Sequence, residues 1–219
     1  MKPSRIILIR HGQSDGNVDR ITHATVPDWK IPLTEKGREQ AREAGKKVFN
    51  SLGRLELAVY CSPYLRTRQT WEEMDSQSFQ VDITVKEDPR LVEQSWGNLR
   101  AFEPRKWEDI EAERDHYGPF YYRFLHGESG VEVYQRFTTF LDTLYRDFEK
   151  SDFPDNALIV THGFTLRVLL MRWLHWSVEE FHELKNPKNC QTFELQLDKI
   201  NDKYYLTKPF PRKDGEESP

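Results

Sequence analysis

The sequence predicts an α/β fold, a three-layer α/β/α sandwich around a mainly parallel central sheet, and three observations carry that expectation. Short unbroken apolar runs recur at "IILI" (6–9), "LAVY" (57–60) and "ALIV" (157–160), the pattern of strands covered on both faces. Between them lie stretches whose apolar residues return every three or four positions, the period of an amphipathic helix. The two periods alternate along the chain, which calls for right-handed crossovers and helices on both faces of the sheet.

Residues 5–10 make the first strand. From Thr34, a candidate N-cap, Gly37, Ala41, Ala44, Val48 and Leu52 fall on one face of a helix with small residues turned inward. "LELAVYCS" (55–62) reads as the second buried strand. Pro63 is expected in the first turn of a helix running to about Met74, where proline gives up no needed hydrogen bond. "VDITVKED" (81–88) alternates and is expected to be a short or edge strand.

Residues 89–128 have mixed character and are expected to form an insertion that covers the site. "EPRKWEDIEAERD" (103–115) reads as a charged helix with a solvated face, and "HYGPFYYRFLHGES" (116–129) as an aromatic loop. Val133, Phe137, Phe140, Leu144 and Phe148 then stripe a long helix, which turn residues between Asp152 and Asn156 bring to an end. "ALIVTH" is the next strand and "FTLRVLLMRWLHW" the helix after it. "TFELQLDKINDKYYLTK" (192–208) is a hairpin with Asn201-Asp202 at its turn. One domain over 1–209 and a polar tail over 210–219 are the expected organisation.

Composition excludes several classes of function. With 32 Lys+Arg against 36 Asp+Glu the chain carries a formal charge of −4, so it has no basic field for nucleic acid or an anionic membrane surface. Cys61 and Cys190 form no CxxC pair, no zinc site is expected, and no secretory leader is evident at "MKPSRIILIR". Two reduced thiols in a cytoplasmic or nuclear protein is the reading that follows. No run approaches the roughly 18 apolar residues of a membrane span. The oligomeric state is left open.

The chemistry is expected at the carboxyl ends of the strands, where open α/β sheets bind their ligands. The first strand ends in Arg10-His11-Gly12 and a later one in His162-Gly163, while "CSPYLRT" places Arg66 one turn into the next helix. Two imidazoles and two guanidiniums converging in a slightly acidic protein suit a phosphoryl group. Guanidinium binds phosphate oxygens in bidentate fashion and stays charged. Neutral imidazole can attack phosphorus, so one histidine would accept the group while the other holds its oxygens. The departing alkoxide needs a proton, and Glu93 in "EDPRLVEQSWGNL" is the candidate donor.

These segments resemble the histidine phosphatase superfamily, also called phosphoglycerate mutase-like. Arg10, His11, Gly12, Ser14 and Asn17 match its opening Arg-His-Gly-x-Ser/Thr-x-x-Asn. "SPYLRTRQT" is similar to the second motif through Ser62, Pro63, Arg66, Thr67 and Thr70, "LVEQSWGNL" to the acid segment, and "GES" (127–129) and "THG" (161–163) complete the order. "PFYYRFLHGES" further resembles a plant, fungal and protist subgroup of that family. The resemblance implies that His11 is the phosphorylated nucleophile, that Arg10, Arg66 and His162 form the phosphate pocket, and that Glu93 is the proton donor. It also implies that Ser14 and Asn17 bind phosphate or shape the loop, and that Gly12 and Gly163 let backbone approach closely. No cofactor and no metal are implied.

The activity so implied is hydrolysis of a phosphomonoester, on a phosphorylated small molecule or a phosphoprotein, through a phosphohistidine. Mutases of the family carry a longer segment after the acid with a Tyr-Gly-Gly-type loop, which "QSWGNLRAFEP" does not match. A noncatalytic phospho-ligand binder or scaffold usually lacks the nucleophile or the acid, and both are present here. Specificity is expected in residues 95–127. His23, His116, His126, His175 and His182 have no motif around them and read as surface or packing residues, Arg68 and Arg167 as solvent-facing or bridged to carboxylates. Tyr121 and Arg123 read as part of a satellite core under the loop more readily than as substrate contacts.

Overall fold

The computed structural model describes residues 2–52, 56–77, 83–97 and 106–213. Residues 98–105 of the expected insertion and 214–219 of the expected tail lie outside them, as do Leu55, Val81 and Asp82 at the starts of two expected strand stretches. Six strands, β1 (Arg5–Arg10), β2 (Leu57–Cys61), β3 (Ile83–Glu87), β4 (Asn156–Thr161), β5 (Thr192–Asp198) and β6 (Lys203–Leu206), form one sheet in the order β3-β2-β4-β1-β5-β6. The first four in that order run parallel. β5 joins β1 antiparallel and turns back into β6 at the edge.

Strand periodicity sorts the core into two layers. Ile6, Leu8, Ala58, Tyr60, Ala157 and Ile159 face α6 (Gly130–Phe148) and α7 (Gly163–Leu174). Ile7, Ile9, Leu57, Val59, Leu158 and Val160 face α3 (Glu35–Leu52) and α4 (Leu65–Asp75). Because every residue of β2 and β4 is buried, the unbroken apolar runs are required, and the three-layer sandwich follows. β3 lies at the sheet edge as expected, but its described residues are mostly exposed and do not alternate in burial.

Local chemistry sets the helix ends. Thr34 Oγ1 accepts from Gly37 N at 3.0 Å and caps α3, a contact worth about 1 kcal/mol. Ser129 and Glu132 close a reciprocal capping box on α6, with Ser129 N donating to Glu132 Oε2 at 2.8 Å. Pro63 does not enter α4: the helix starts at Leu65, and Tyr64 holds the extended backbone of its N-cap. The tail begins later than 210. Phe210 is fully buried and stacks on Phe193 at 4.4 Å between centroids, and Lys185 N and Lys213 N bond across to Pro211 O and Glu183 O. The remaining helices are short or belong to the cover: α1 (Asp15–Val18), α2 (Thr22–Thr25), α5 (Trp107–Tyr117) and α8 (Val178–Glu183). Ile110 of α5, Tyr122 and Phe124 form a small core with Trp96 and Trp107. No helix among the described residues is long and apolar enough to cross a membrane.

Candidate active site

Parallel register brings the reactive residues together. Arg10 lies opposite Thr161 and Cys61 opposite Val160, so the next residues along the three chains, His11, His162 and Ser62, emerge side by side at the carboxyl edge. His11 and His162 are both buried and meet edge to face with ring centroids 5.2 Å apart.

The ring of His11 donates from Nδ1 to Gly12 O at 2.7 Å, because a carbonyl can only accept. Nε2 therefore carries the free lone pair. His162 Nε2 bonds Ser62 Oγ at 2.8 Å, and its Nδ1 is buried without a partner. Burial, reinforced by the Arg66 and Arg10 guanidiniums, pushes the His11 pKa well below the ordinary 6.5. Burial, then Arg66 and His11, does the same to His162. Both rings are neutral at pH 7.

Next to His11 opens a cavity of about 340 Å³, whose wall includes Arg10, Ser14, Asn17, Arg66 and Glu93. Arg10 anchors one terminal nitrogen on Pro187 O at 2.5 Å and leaves Nε buried and unpaired. Arg66 lies over the Tyr64 ring at 4.9 Å. Asn17 Oδ1 accepts from Ser14 N at 3.2 Å and from Asn189 Nδ2 at 2.9 Å, and the same Asn189 nitrogen donates to His11 O at 3.1 Å. The loop after β1 is thereby tied to the backbone of His11.

Glu93 reaches the site from the other side. Its Oε1 accepts from Gln94 N, Thr165 N and Thr165 Oγ1, each at 3.0 Å, while Oε2 receives one longer contact from Phe164 N at 3.2 Å. The carboxyl group thus caps the first turn of α7, taking up N–H groups that have no partner within the helix. The segment around it is pinned by the "GES" stretch: Glu128 accepts from Ser95 N at 2.9 Å and from Arg136 Nε at 3.0 Å.

Other expected residues fall elsewhere. Gly12, Gly163 and the His162 ring behind His11 do not line the cavity; Gly12 N donates to Thr70 Oγ1 at 3.0 Å, a Cβ on Gly12 would strike Gly37 O, and one on Gly163 would meet Asn186 at 2.6 Å. Tyr121 and Arg123 are exposed, and Arg123 pairs with Glu132 at 3.0 Å. Arg68 bridges Glu87 at 2.5 Å as expected.

Three cavity residues depart from the sequence reading, and a fourth, Asp28, carried none. His23, read as packing or surface, lines the cavity and donates to Asp28 at 3.0 Å, and Asp28 forks Arg66. Arg167, expected to face solvent or a carboxylate, is buried and pairs with no carboxylate among the described residues. Arg114 comes from the helix read as a solvated face, and it too lines the cavity. One signal for Arg167 was present: α7 is buried almost all round, and a charge inside such a helix needs a purpose. Among the described residues no cluster of three or more His, Cys, Asp or Glu could hold a metal ion.

A sheet with two buried histidines and two arginines at its carboxyl edge defines a phosphoryl-handling α/β protein. The family profile described as histidine phosphatase superfamily (branch 1) matches residues 6–204, and the chain belongs to that superfamily. It is 41% identical to the Arabidopsis thaliana phosphoglycerate mutase-like protein AT74H over 90% of this chain and 75% of that one. It is 26% identical to the Saccharomyces cerevisiae broad-range acid phosphatase DET1 over 96% of this chain and 90% of that protein. A mycobacterial glucosyl-3-phosphoglycerate phosphatase shares the fold, with a TM-score of 0.68, 22% identity and coverage of 93% and 97% of the two chains.

Proposed function

We propose that the protein hydrolyses a phosphomonoester, without a metal, through a phosphohistidine on His11. The observation that carries this reading is the His11 ring itself: neutral, fixed by the Nδ1–H bond to Gly12 O, with Nε2 left as nucleophile among cations. In the first step Nε2 attacks phosphorus in line as the P–O bond to the leaving group breaks. Arg10 and Arg66 bind the equatorial oxygens, joined by His162 Nδ1–H, which Ser62 frees by donating to Nε2. Glu93 hands a proton to the leaving oxygen. Its Oε2, with the single longer contact, is the oxygen suited to hold that proton.

In the second step Glu93 takes a proton from water, whose oxygen attacks phosphorus as the P–N bond breaks, and inorganic phosphate leaves. The relatives named as phosphatases support hydrolysis. So does the absence of the mutase-type Tyr-Gly-Gly loop from the acid segment. A protein that only binds phospho-ligands has no need of Glu93 beside a nucleophile. The test is capture of the intermediate after rapid mixing with a radiolabelled phosphomonoester. The label is expected on His11, acid-labile and alkali-stable, and absent in His11→Ala; turnover with no such label would overturn the mechanism.

A further inference from the structure

Glu128 of the "GES" stretch and its partner Arg136 do not line the cavity, yet both reach the backbone that carries Glu93. The carbonyls of four consecutive residues, 90 to 93, each accept from a side chain. Thr161 Oγ1 donates to Leu91 O and Thr165 Oγ1 to Val92 O, both at 2.8 Å, from the strand and the helix on either side of His162. Arg136 of α6 takes the outer two: Nη1 donates to Arg90 O at 2.5 Å and Nη2 to Glu93 O at 3.2 Å.

The guanidinium is itself fixed. Nε and Nη2 donate to the Glu128 carboxylate at 3.0 and 3.2 Å, and both side chains are mostly withdrawn from solvent. Glu128 also takes Ser95 N on Oε2 at 2.9 Å, and its own carbonyl accepts from Gln94 Nε2 at 3.0 Å. Glu128 thus holds the two residues after Glu93, while Arg136 holds Glu93 itself. Bonds from an ionised donor are stronger than neutral ones, and the planar fork of arginine gives them a fixed direction that an ammonium cannot copy.

Glu93 is therefore held at both ends, its carbonyl by α6 and its carboxyl by the first turn of α7. The carboxyl has two calls on it. The α7 amides draw it onto the helix, whereas proton transfer needs it turned to the leaving oxygen in the cavity. A backbone free to slide would let the amides win, and small misplacements of a reacting group cost large factors in rate. Resting on the hydrolase reading above, we propose that Arg136, braced by Glu128, is a positioning residue for proton transfer. It sets where Glu93 presents its carboxyl and makes no contact with the substrate. Loss of the fork then slows the step in which Glu93 gives up its proton and spares binding of the phosphoryl group.

The test follows phosphorylation of His11 under single-turnover conditions, with an alkyl phosphate and with nitrophenyl phosphate, in the wild type, Arg136→Lys, Arg136→Met and Glu93→Gln. Arg136→Lys keeps the charge and the aliphatic stem and loses the fork. In both Arg136 variants the maximal rate on the alkyl ester is expected to fall roughly ten- to a hundredfold, while its half-saturating concentration and the nitrophenyl rate stay within about threefold of the wild type. In the Glu93→Gln background the same substitutions should add less than about threefold, because the proton they place is already gone. Equal slowing on both esters, full activity of Arg136→Lys on the alkyl ester, or additive losses with Glu93→Gln would overturn the assignment while leaving hydrolysis standing. No phosphohistidine in the wild type with either ester would overturn the hydrolase reading and this one with it. Should Arg136→Met fail to fold, Arg136→Lys and Glu128→Gln, which loses the charge that braces the fork, carry the same comparison.

Discussion

Asp28 holds Arg66 at both ends of its guanidinium: Nη1 lies 3.2 Å from Oδ1, Nη2 lies 3.2 Å from Oδ2, and Nη1 also donates to the Asp28 carbonyl at 2.6 Å. Burial works against the charge on Asp28, but the bond from His23 and the Arg66 guanidinium keep its carboxyl below the usual range. The fork fixes the nearly inaccessible Arg66 in the wall of the cavity beside His11. Asp28→Asn keeps the shape and loses the charge, so Arg66 should drift. We expect kcat/KM to fall by roughly ten- to a hundredfold, since small misplacements of a positioning group cost that much. Steady-state kinetics checks it, and the effects of Asp28→Asn and Arg66→Lys should not add in a double-mutant cycle.

The two buried histidines make stability depend on pH. Their folded-state pKa values are depressed, by burial first and then by Arg66, so the unfolded chain binds more protons as pH falls through 6.5. Stability is therefore fully present above about pH 6.5 and lost below it, with a slope of up to about 1.4 kcal/mol per pH unit for each histidine. Thermal melts between pH 7.5 and 5 (roughly the range over which histidine titrates) should show the midpoint falling on the acid side. His162→Asn should flatten that fall. A midpoint independent of pH there would remove the case for neutral, desolvated rings.

Legibility in the sequence followed how local each signal is. β2 and β4 showed themselves as apolar runs because all their residues are buried, and α6 as a stripe because one face is. Arg10, His11, Arg66 and His162 were legible because each stands at a strand end or one turn beyond it, and the parallel register does the rest. Asp28 and His23 were not, since their meaning exists only once a loop after β1 folds over α4. Arg114 looked like one charge among many on α5, and only the packing of Ile110 and Trp107 turns it inward. Phe210 was lost among polar neighbours, although Phe193 stacks on it.

Gly12 tests whether the motif glycine serves packing. Its Cβ would fall on Gly37 O and 3.0 Å from Gly37 C, both rigid backbone at the start of α3. Gly12→Ala must push β1's exit loop away from that helix and displace the carbonyl that holds the His11 ring. A stability loss of about 1–3 kcal/mol is expected from overpacking, together with reduced activity. Denaturant melts and kinetics on the same preparation measure both, and an unchanged midpoint would show that the backbones have room to part.

Glu93 makes the most discriminating chemical prediction. In the Glu93→Gln variant the side chain can still accept from the α7 amides through its oxygen, but it can no longer donate and recover a proton in turnover. The departing group then leaves without help, which matters little for a nitrophenolate and greatly for an alkoxide. Under single-turnover conditions, phosphorylation of His11 should slow by about a hundredfold or more with an alkyl phosphate and far less with nitrophenyl phosphate. Equal slowing on both esters would mean that Glu93 acts by charge or by bracing α7, and that the proton comes from another group on the cavity wall.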